Sequence, residues 1–297
     1  MASEDGKTKR AMIEVDRLTV AYPLARESTF VIAVENVSLD VAEGEVLTIL
    51  GPSGCGKTTV LNTIAGLVKP TAGEVRLDGK PITRPGPDRA VVFQQHALLP
   101  WRTVHDNVRF AIEAQPARRR TSDDDIRRVL DLVGLEGFES AYPRELSGGM
   151  QQRVGLARAL VADPRILLMD EPFGAVDALT REIMRQEIER ILIETGKTVV
   201  FVTHSIDEAV LLGDRVVVFS PRPGRISYMA DVNLERPRYA YDARAEPGYI
   251  DLREQLWEIL VGKRDQAARE SDESISDTSE RPVVLSSHDH TQQQPSK

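Results

Sequence analysis

Eight residues constrain this chain more than any others. Gly51-Pro52-Ser53-Gly54-Cys55-Gly56-Lys57-Thr58 satisfies GxxxxGK[ST] at every fixed position. The apolar run Val46-Leu47-Thr48-Ile49-Leu50 stands before it, and a helical pattern from Thr58 to Leu67 follows. A loop between a buried strand and a helix N-terminus is where such a pattern binds phosphate. Glycines let backbone N–H groups curl round an anion with no side chain in the way. The opening helix adds the positive end of its dipole. Lys57 is then expected to reach the β- and γ-phosphates of a nucleotide, and the Thr58 hydroxyl to ligate Mg2+, with Thr59 next in the same turn. At Cys55 the loop asks only for a small side chain.

Three more short, continuous apolar runs occur: Ile166-Leu167-Leu168-Met169, Val199-Val200-Phe201-Val202 and Val216-Val217-Val218-Phe219. Continuous rather than alternating apolarity suits strands of a parallel sheet covered on both faces. Leu179, Ile183, Ile188, Ile191 and Leu192 mark an amphipathic helix between two of these runs. The strand–helix alternation reads as an α/β fold.

Between about residues 95 and 161 the texture becomes helical, as expected of an insertion in the α/β core. Ser122 is an expected N-cap, with Asp123, Asp124 and Asp125 in the first turn and Ile126, Val129, Leu130 and Val133 as the apolar stripe. The triple arginine Arg118-Arg119-Arg120 reads as a solvated face rather than a nucleic-acid site. Farther on, Leu252, Leu256, Trp257, Ile259 and Leu260 have helical spacing and are expected to pack back on the core. The expected organisation is one folded domain over 11–263, with the helical subdomain inserted at about 95–161. A polar tail over 264–297 is expected to be disordered.

Charge narrows the partners. From Asp265 to Lys297 there are seven acidic and three basic residues, so this stretch carries −4 of the formal net charge of −8. The body is close to neutral for its size, and no nucleic-acid partner is expected. A single cysteine excludes an internal disulfide and fits a reducing compartment. The N-terminus lacks the apolar stretch of a secretory signal, and the apolar runs are far shorter than the roughly 20 residues of a membrane span.

Asp170-Glu171 ends the run Ile166-Leu167-Leu168-Met169 and is followed by Pro172. A buried strand ending in a carboxylate is expected to set Asp170 beside the phosphate loop, on the Mg2+ side. Glu171, one residue on, is then the candidate to polarise an attacking water. His204 ends the next strand. Parallel strands carry ligands at their C-terminal ends, so His204 is expected to sense the γ-phosphate.

About 90 residues after Lys57 comes Leu146-Ser147-Gly148-Gly149-Met150-Gln151-Gln152-Arg153. Ser147 can cap a helix continued by Val154, Leu156, Ala157 and Leu160, and Gly148 and Gly149 leave its first-turn N–H groups open to an anion. One nucleotide has no evident need of two such cradles from one chain. A head-to-tail homodimer resolves this, each ATP lying between one chain's phosphate loop and the other's Ser147 helix.

LSGGMQQR, GPSGCGKT and ILLMDEP in one chain resemble the nucleotide-binding subunit of ATP-binding cassette transporters, over about Ile13 to Leu260. The resemblance implies a RecA-like phosphate-loop core with an N-terminal antiparallel β-subdomain and an inserted α-helical subdomain. It implies ATP hydrolysis with Mg2+, and Gln94 as the glutamine that senses metal and attacking water. Asp177 is similar to the residue of the loop that speaks across the dimer, and Tyr22 to the aromatic that stacks on adenine. An ordinary core aromatic is the other reading of Tyr22.

Leu98-Leu99-Pro100-Trp101-Arg102-Thr103-Val104, Phe173-Gly174-Ala175-Val176-Asp177-Ala178-Leu179-Thr180-Arg181 and Ser220-Pro221-Arg222-Pro223-Gly224-Arg225-Ile226 are similar to the nitrate, sulfonate and taurine importer branch. That implies separate integral membrane permease subunits, an external solute-binding protein reached indirectly, and a peripheral place on the cytoplasmic face of the plasma (inner) membrane. Leu98, Leu99 and Trp101 either meet a permease helix or fold inward as subdomain core. The competing expectation is a soluble cassette ATPase of translation or DNA repair. Such relatives usually carry two cassettes or a long coiled coil, and this chain shows one cassette and a short insertion. No guanine-reading NKxD occurs.

Overall fold

The computed structural model describes residues 11–23, 30–94, 97–114, 122–174 and 177–276, with side chains as far as 262. The chain begins with β1 (Ala11–Pro23), β2 (Phe30–Ala42) and β3 (Val46–Leu50), then α1 (Lys57–Ala65), β4 (Ala72–Leu77), β5 (Lys80–Pro81) and β6 (Arg89–Val92). The helical insertion holds α2 (Val104–Glu113), α3 (Asp123–Leu132) and α4 (Gly148–Val161). The core resumes with β7 (Ile166–Asp170), α5 (Ala178–Thr195), β8 (Thr198–Thr203), α6 (Ile206–Leu212), β9 (Arg215–Phe219) and β10 (Ile226–Asp231). It closes with α7 (Pro247–Ser276).

Among the described residues these strands form two sheets. The larger has the order β10-β9-β3-β8-β7-β6, and the smaller β2-β1-β4-β5. All neighbours in the larger sheet run parallel except the antiparallel edge strand β10. The smaller sheet is antiparallel throughout.

The continuous apolar runs behave as strands covered twice. Every residue of β3, β7 and β8 is buried. Successive side chains then go to opposite faces. Ile166, Leu168, Val200 and Val202 join α1 and the antiparallel sheet in one core. Leu167, Met169, Val199 and Phe201 join α4, α5 and the helical insertion in the other. A third cluster packs α6 and β9 against Tyr249 and Leu256 of α7.

Local signals also match their structure. Ser122 and Asp125 form a complete capping box on α3, so two orphan N–H groups at that end are satisfied. Arg118-Arg119-Arg120 lies outside the described residues. Two helices depart from their sequence patterns. On α5, Met184, Ile188, Ile191 and Leu192 are buried, but Leu179 is 73% and Ile183 47% exposed, because at about 100° per residue both lie round the helix from that buried stripe. On α7, Leu256 is buried while Trp257 stands 58% exposed. The α7 backbone also continues to Ser276, beyond the boundary at 263 drawn from the sequence.

Ion pairs fasten the C-terminal segment to α5. The Glu182 carboxylate accepts from Arg185 at 2.6 Å and from Arg244 at 2.7 Å. Burial pushes its pKa up, yet the hydrogen bonds from Arg185 and Arg244 outweigh that and hold it down at about 2. A carboxyl depressed in the folded state contributes stability above the ordinary carboxylate range and loses it as pH falls toward 2. Glu182→Gln is therefore expected to cost about 1 kcal/mol at pH 7, the full shift being discounted for solvent screening. The gap should narrow steadily below pH 4.5. Urea unfolding of both proteins across that range is the check; a difference constant with pH would rule out the ion pairs as its source.

Candidate functional site

Strand register brings the candidate residues together. Leu50 of β3 pairs with Thr203 of β8, and Val202 of β8 with Asp170 of β7. Three loops therefore leave one edge of the sheet side by side, carrying the phosphate loop, Glu171 and His204.

The loop takes the shape its glycines allow. Gly54 has φ 77 and Gly56, the N-cap of α1, has φ 98. A Cβ on Gly56 would fall 2.7 Å from both Ala33 O and Val34 Cγ2. Lys57 folds back along the loop, its Nζ donating to Gly51 O at 2.8 Å and Pro52 O at 3.0 Å. That ammonium is 3.6 Å from Glu171 Oε1, with a side chain only 3% exposed. One carboxylate and two carbonyls around it supply the partners that a buried ammonium needs. Cys55 lies beneath the loop, 1% exposed, with burial pushing its thiol pKa up. It packs as a neutral thiol.

Thr58 Oγ1 donates to Asp170 Oδ1 at 2.9 Å. Burial raises the Asp170 pKa, against the pull of the Thr58 hydrogen bond. Glu171, next along, has φ 44, a left-handed backbone rarely adopted by a side chain of this size. Such a conformation costs on the order of 1–3 kcal/mol and is kept where the surroundings impose it. Here the Glu171 N–H donates to Val202 O at 2.9 Å, and the turn that follows returns Gly174 N–H to Glu171 O at 3.0 Å. The carboxylate is thereby set between Lys57 and His204, whose Nδ1 lies 3.1 Å from Glu171 Oε2. Gln94 borders the same cleft; a Cβ on Gly174 would stand 3.2 Å from its Nε2, so Gly174 leaves room for that amide.

The cleft continues past Thr58 and Thr59 to Tyr22, 42% exposed, whose hydroxyl is 3.4 Å from Thr59 Oγ1. Tyr22 is thus a cleft wall and not a core aromatic. Gly51 and Pro52 lie instead on an adjoining cleft behind the loop, where His204 faces Trp257 and Arg253.

Sequence reasoning passed over Val31 and Ala33, which floor the cleft, and Arg222, which closes one side. The Arg222 signal was the run Ser220-Pro221-Arg222-Pro223-Gly224-Arg225, a visible motif whose position against the phosphate loop no local pattern discloses.

Ser147, Gly148, Gly149 and Asp177 do not line this cleft. Ser147 Oγ accepts from Met150 N–H at 3.3 Å and caps α4. Asp177 caps α5 through Leu179 N–H and Thr180 N–H, with its carboxyl held low by the Thr180 hydrogen bonds. Gly149 packs toward α5, where a Cβ would meet Thr180 Cγ2 at 3.0 Å. Ala175 and Val176 lie outside the described residues.

An α/β core with a GxxxxGK[ST] loop, strand-end carboxylates beside it and a second capped helix on an inserted subdomain defines a phosphate-loop nucleotide hydrolase. Residues 34–174 match the family described as ABC transporter. The chain is 48% identical over 264 residues to an ABC transporter ATP-binding protein of Methanocaldococcus jannaschii, MJ0412, covering 88% of this chain and 97% of that one. It is 47% identical over 259 residues to the taurine import ATP-binding protein TauB of Rhizobium johnstonii, covering 86% and 98%. The dimeric post-hydrolysis structure of the ATP-binding cassette MJ0796 bound to ADP and Pi matches with a TM-score of 0.66 at 35% identity, over 75% of this chain and all of that one. The chain belongs to the ABC transporter family, among its ATP-binding proteins, and is an ATPase.

Proposed function

We propose that this ATPase powers a separate membrane permease that imports a small anion of the nitrate, sulfonate and taurine kind, supplied through an external solute-binding protein. The chain works as a homodimer at the cytoplasmic face of the membrane. The observation that carries the mechanism is the convergence of Lys57, Thr58, Asp170, Glu171 and His204 on one sheet edge while Ser147, Gly148 and Gly149 face elsewhere. A second copy docked head-to-tail supplies the missing cradle, with its Asp177 loop beside it. ATP then belongs to both chains, and its hydrolysis separates them.

In this reading Tyr22 meets the adenine, and the amides from Ser53 to Thr59 with Lys57 take the phosphates. The hydroxyl of Thr58, the carboxylate of Asp170 and the amide oxygen of Gln94 are hard donors suited to Mg2+. Bound there, the cation neutralises charge on the β- and γ-phosphates. The Glu171 carboxylate accepts the proton of the attacking water, and His204 fixes its orientation through the 3.1 Å contact. Lys57 stabilises the negative charge that develops on the transferring phosphoryl group.

Support for transport comes from the likeness to a taurine import ATP-binding protein across nearly its whole length and from a surface suited to a membrane partner. The loop before α2 holds Leu98 and Leu99 half-buried and projects Trp101, 71% exposed. Buried Asn107 fixes it, accepting from Leu99 N–H and donating to the carbonyls of Leu99, Arg102 and Thr103. Held in this way with Trp101 outward, the loop reads as a rigid platform for a permease helix; no helix among the described residues is long and apolar enough to cross a membrane. Tagged chain purified from detergent-solubilised membranes of its host is expected to bring a multi-span permease in stoichiometric amount. Trp101→Asp is expected to lose it while thermal unfolding stays unchanged. Recovery with ribosomes or repair proteins would overturn the transport reading and leave the ATPase intact.

A further inference from the structure

The cleft carries a second cation that the proposed chemistry does not use. Arg222 lines it together with Lys57. Its Nε donates to Gly54 O of the phosphate loop at 3.3 Å, and no carboxylate among the described residues pairs with the guanidinium. The contrast with its neighbours is informative. Lys57 is matched by Glu171, Arg225 by Glu35 at 2.6 Å, and Arg253 by Asp207 at 3.2 Å. A guanidinium anchored through Nε keeps its terminal N–H groups free, and their planar fork matches phosphate oxygens.

The anchor is built rather than incidental. The loop bearing Arg222 is stitched to β2, Gly224 N–H donating to Ala33 O at 2.9 Å and Glu35 N–H to Gly224 O at 3.0 Å. Gly224 lies so close to the phosphate loop that a Cβ there would fall 1.9 Å from Cys55 O. Ser220 Oγ closes the turn by accepting from Arg225 N–H at 3.1 Å. The backbone that bears Arg222 is therefore held against β2 and the phosphate loop, which keeps the guanidinium within reach of Gly54 O at the mouth of the cleft.

Resting on the nucleotide-site reading above, we propose that Arg222 is a further nucleotide-binding residue, whose guanidinium contacts phosphate oxygens of the bound nucleotide while its Nε braces Gly54. The alternative occupant of those N–H groups is a carboxylate of the second copy in the dimer, and the two are separable. ADP binding to the purified wild-type chain is compared with Arg222→Lys, Arg222→Gln and Arg222→Ala by titration calorimetry at low and high salt, with ATP-dependent dimerisation followed by light scattering. The expected result is about tenfold weaker ADP binding for both Gln and Ala, a shallower salt dependence in both, and substantial rescue by Lys. Gln restoring wild-type affinity would leave only a brace on the Gly54 carbonyl and overturn the proposal. Unchanged ADP affinity with impaired dimerisation would overturn it in favour of the second copy. Lys57→Ala is the control: if it binds ADP as wild type does, the nucleotide-site reading itself falls, independently of Arg222.

Discussion

Glu171→Gln is expected to reduce ATP turnover about 100-fold or more while leaving ATP affinity close to wild type, and to accumulate an ATP-bound dimer. The carboxylate is placed for proton acceptance by a left-handed backbone, by Lys57 at 3.6 Å and by His204 at 3.1 Å. Glutamine fills the same volume and keeps an oxygen toward Lys57, so the phosphate contacts survive. It has no basic oxygen with which to take the proton from water, so the loss falls on turnover and not on binding. Because hydrolysis is the step that separates the two copies, the species that forms on ATP addition should persist. Light scattering after size exclusion in ATP, beside a steady-state phosphate assay, tests both halves. A variant that hydrolyses ATP normally would remove Glu171 from the chemistry. One that hydrolyses slowly yet stays monomeric would keep the base and remove the dimer.

The second large effect is expected at Lys57. Lys57→Ala should weaken ATP binding by about 100-fold, roughly 2.7 kcal/mol. It withdraws the buried ammonium and leaves Gly51 O, Pro52 O and the Glu171 carboxylate facing the phosphates without a counter-charge. The readout is thermal. A ligand at 100 times its Kd stabilises the folded state by about 2.7 kcal/mol, and at the same ATP concentration the variant should show only a small fraction of that shift. A full ATP-dependent shift would mean that the loop amides alone hold the nucleotide. The ligand-free variant should also melt lower, since the lysine links both ends of the loop to the neighbouring strand end.

How much of this was legible depends on the range of the forces involved. The phosphate loop is a local object: the φ of 77 at Gly54 and 98 at Gly56 is a requirement that four or five consecutive residues announce. The capping box at Ser122 and Asp125 is likewise complete within four residues. Asp170 and Glu171 could be read from the end of a buried apolar run, because a parallel strand delivers its last residues to one edge of the sheet. The helical patterns misled where apolar residues were grouped on one stripe although their angles divide them between two faces. On α5, Leu179 stands about 180° round the helix from Ile188 and Ile183 about 140°, so neither is on the buried stripe, and Trp257 on α7 is turned about 100° from buried Leu256; all three project into solvent. An apolar residue on a helix is buried only when its angle turns it to the face that another element covers, and the packing of the elements decides which face that is.

The sequence by itself determined the class of fold, the loop that receives phosphate and the identity of the residues beside it. Each of those follows from backbone geometry or strand burial within a short segment. Tertiary structure alone decided that Glu171 stands between Lys57 and His204, that Tyr22 walls a cleft, and that Arg222 reaches Gly54 from 168 residues away. It also decided that the Ser147 helix stays outside its own chain's cleft. These relations depend on strand register and on which loops leave the same sheet edge. They are set by packing between distant segments, which no local window of residues encodes.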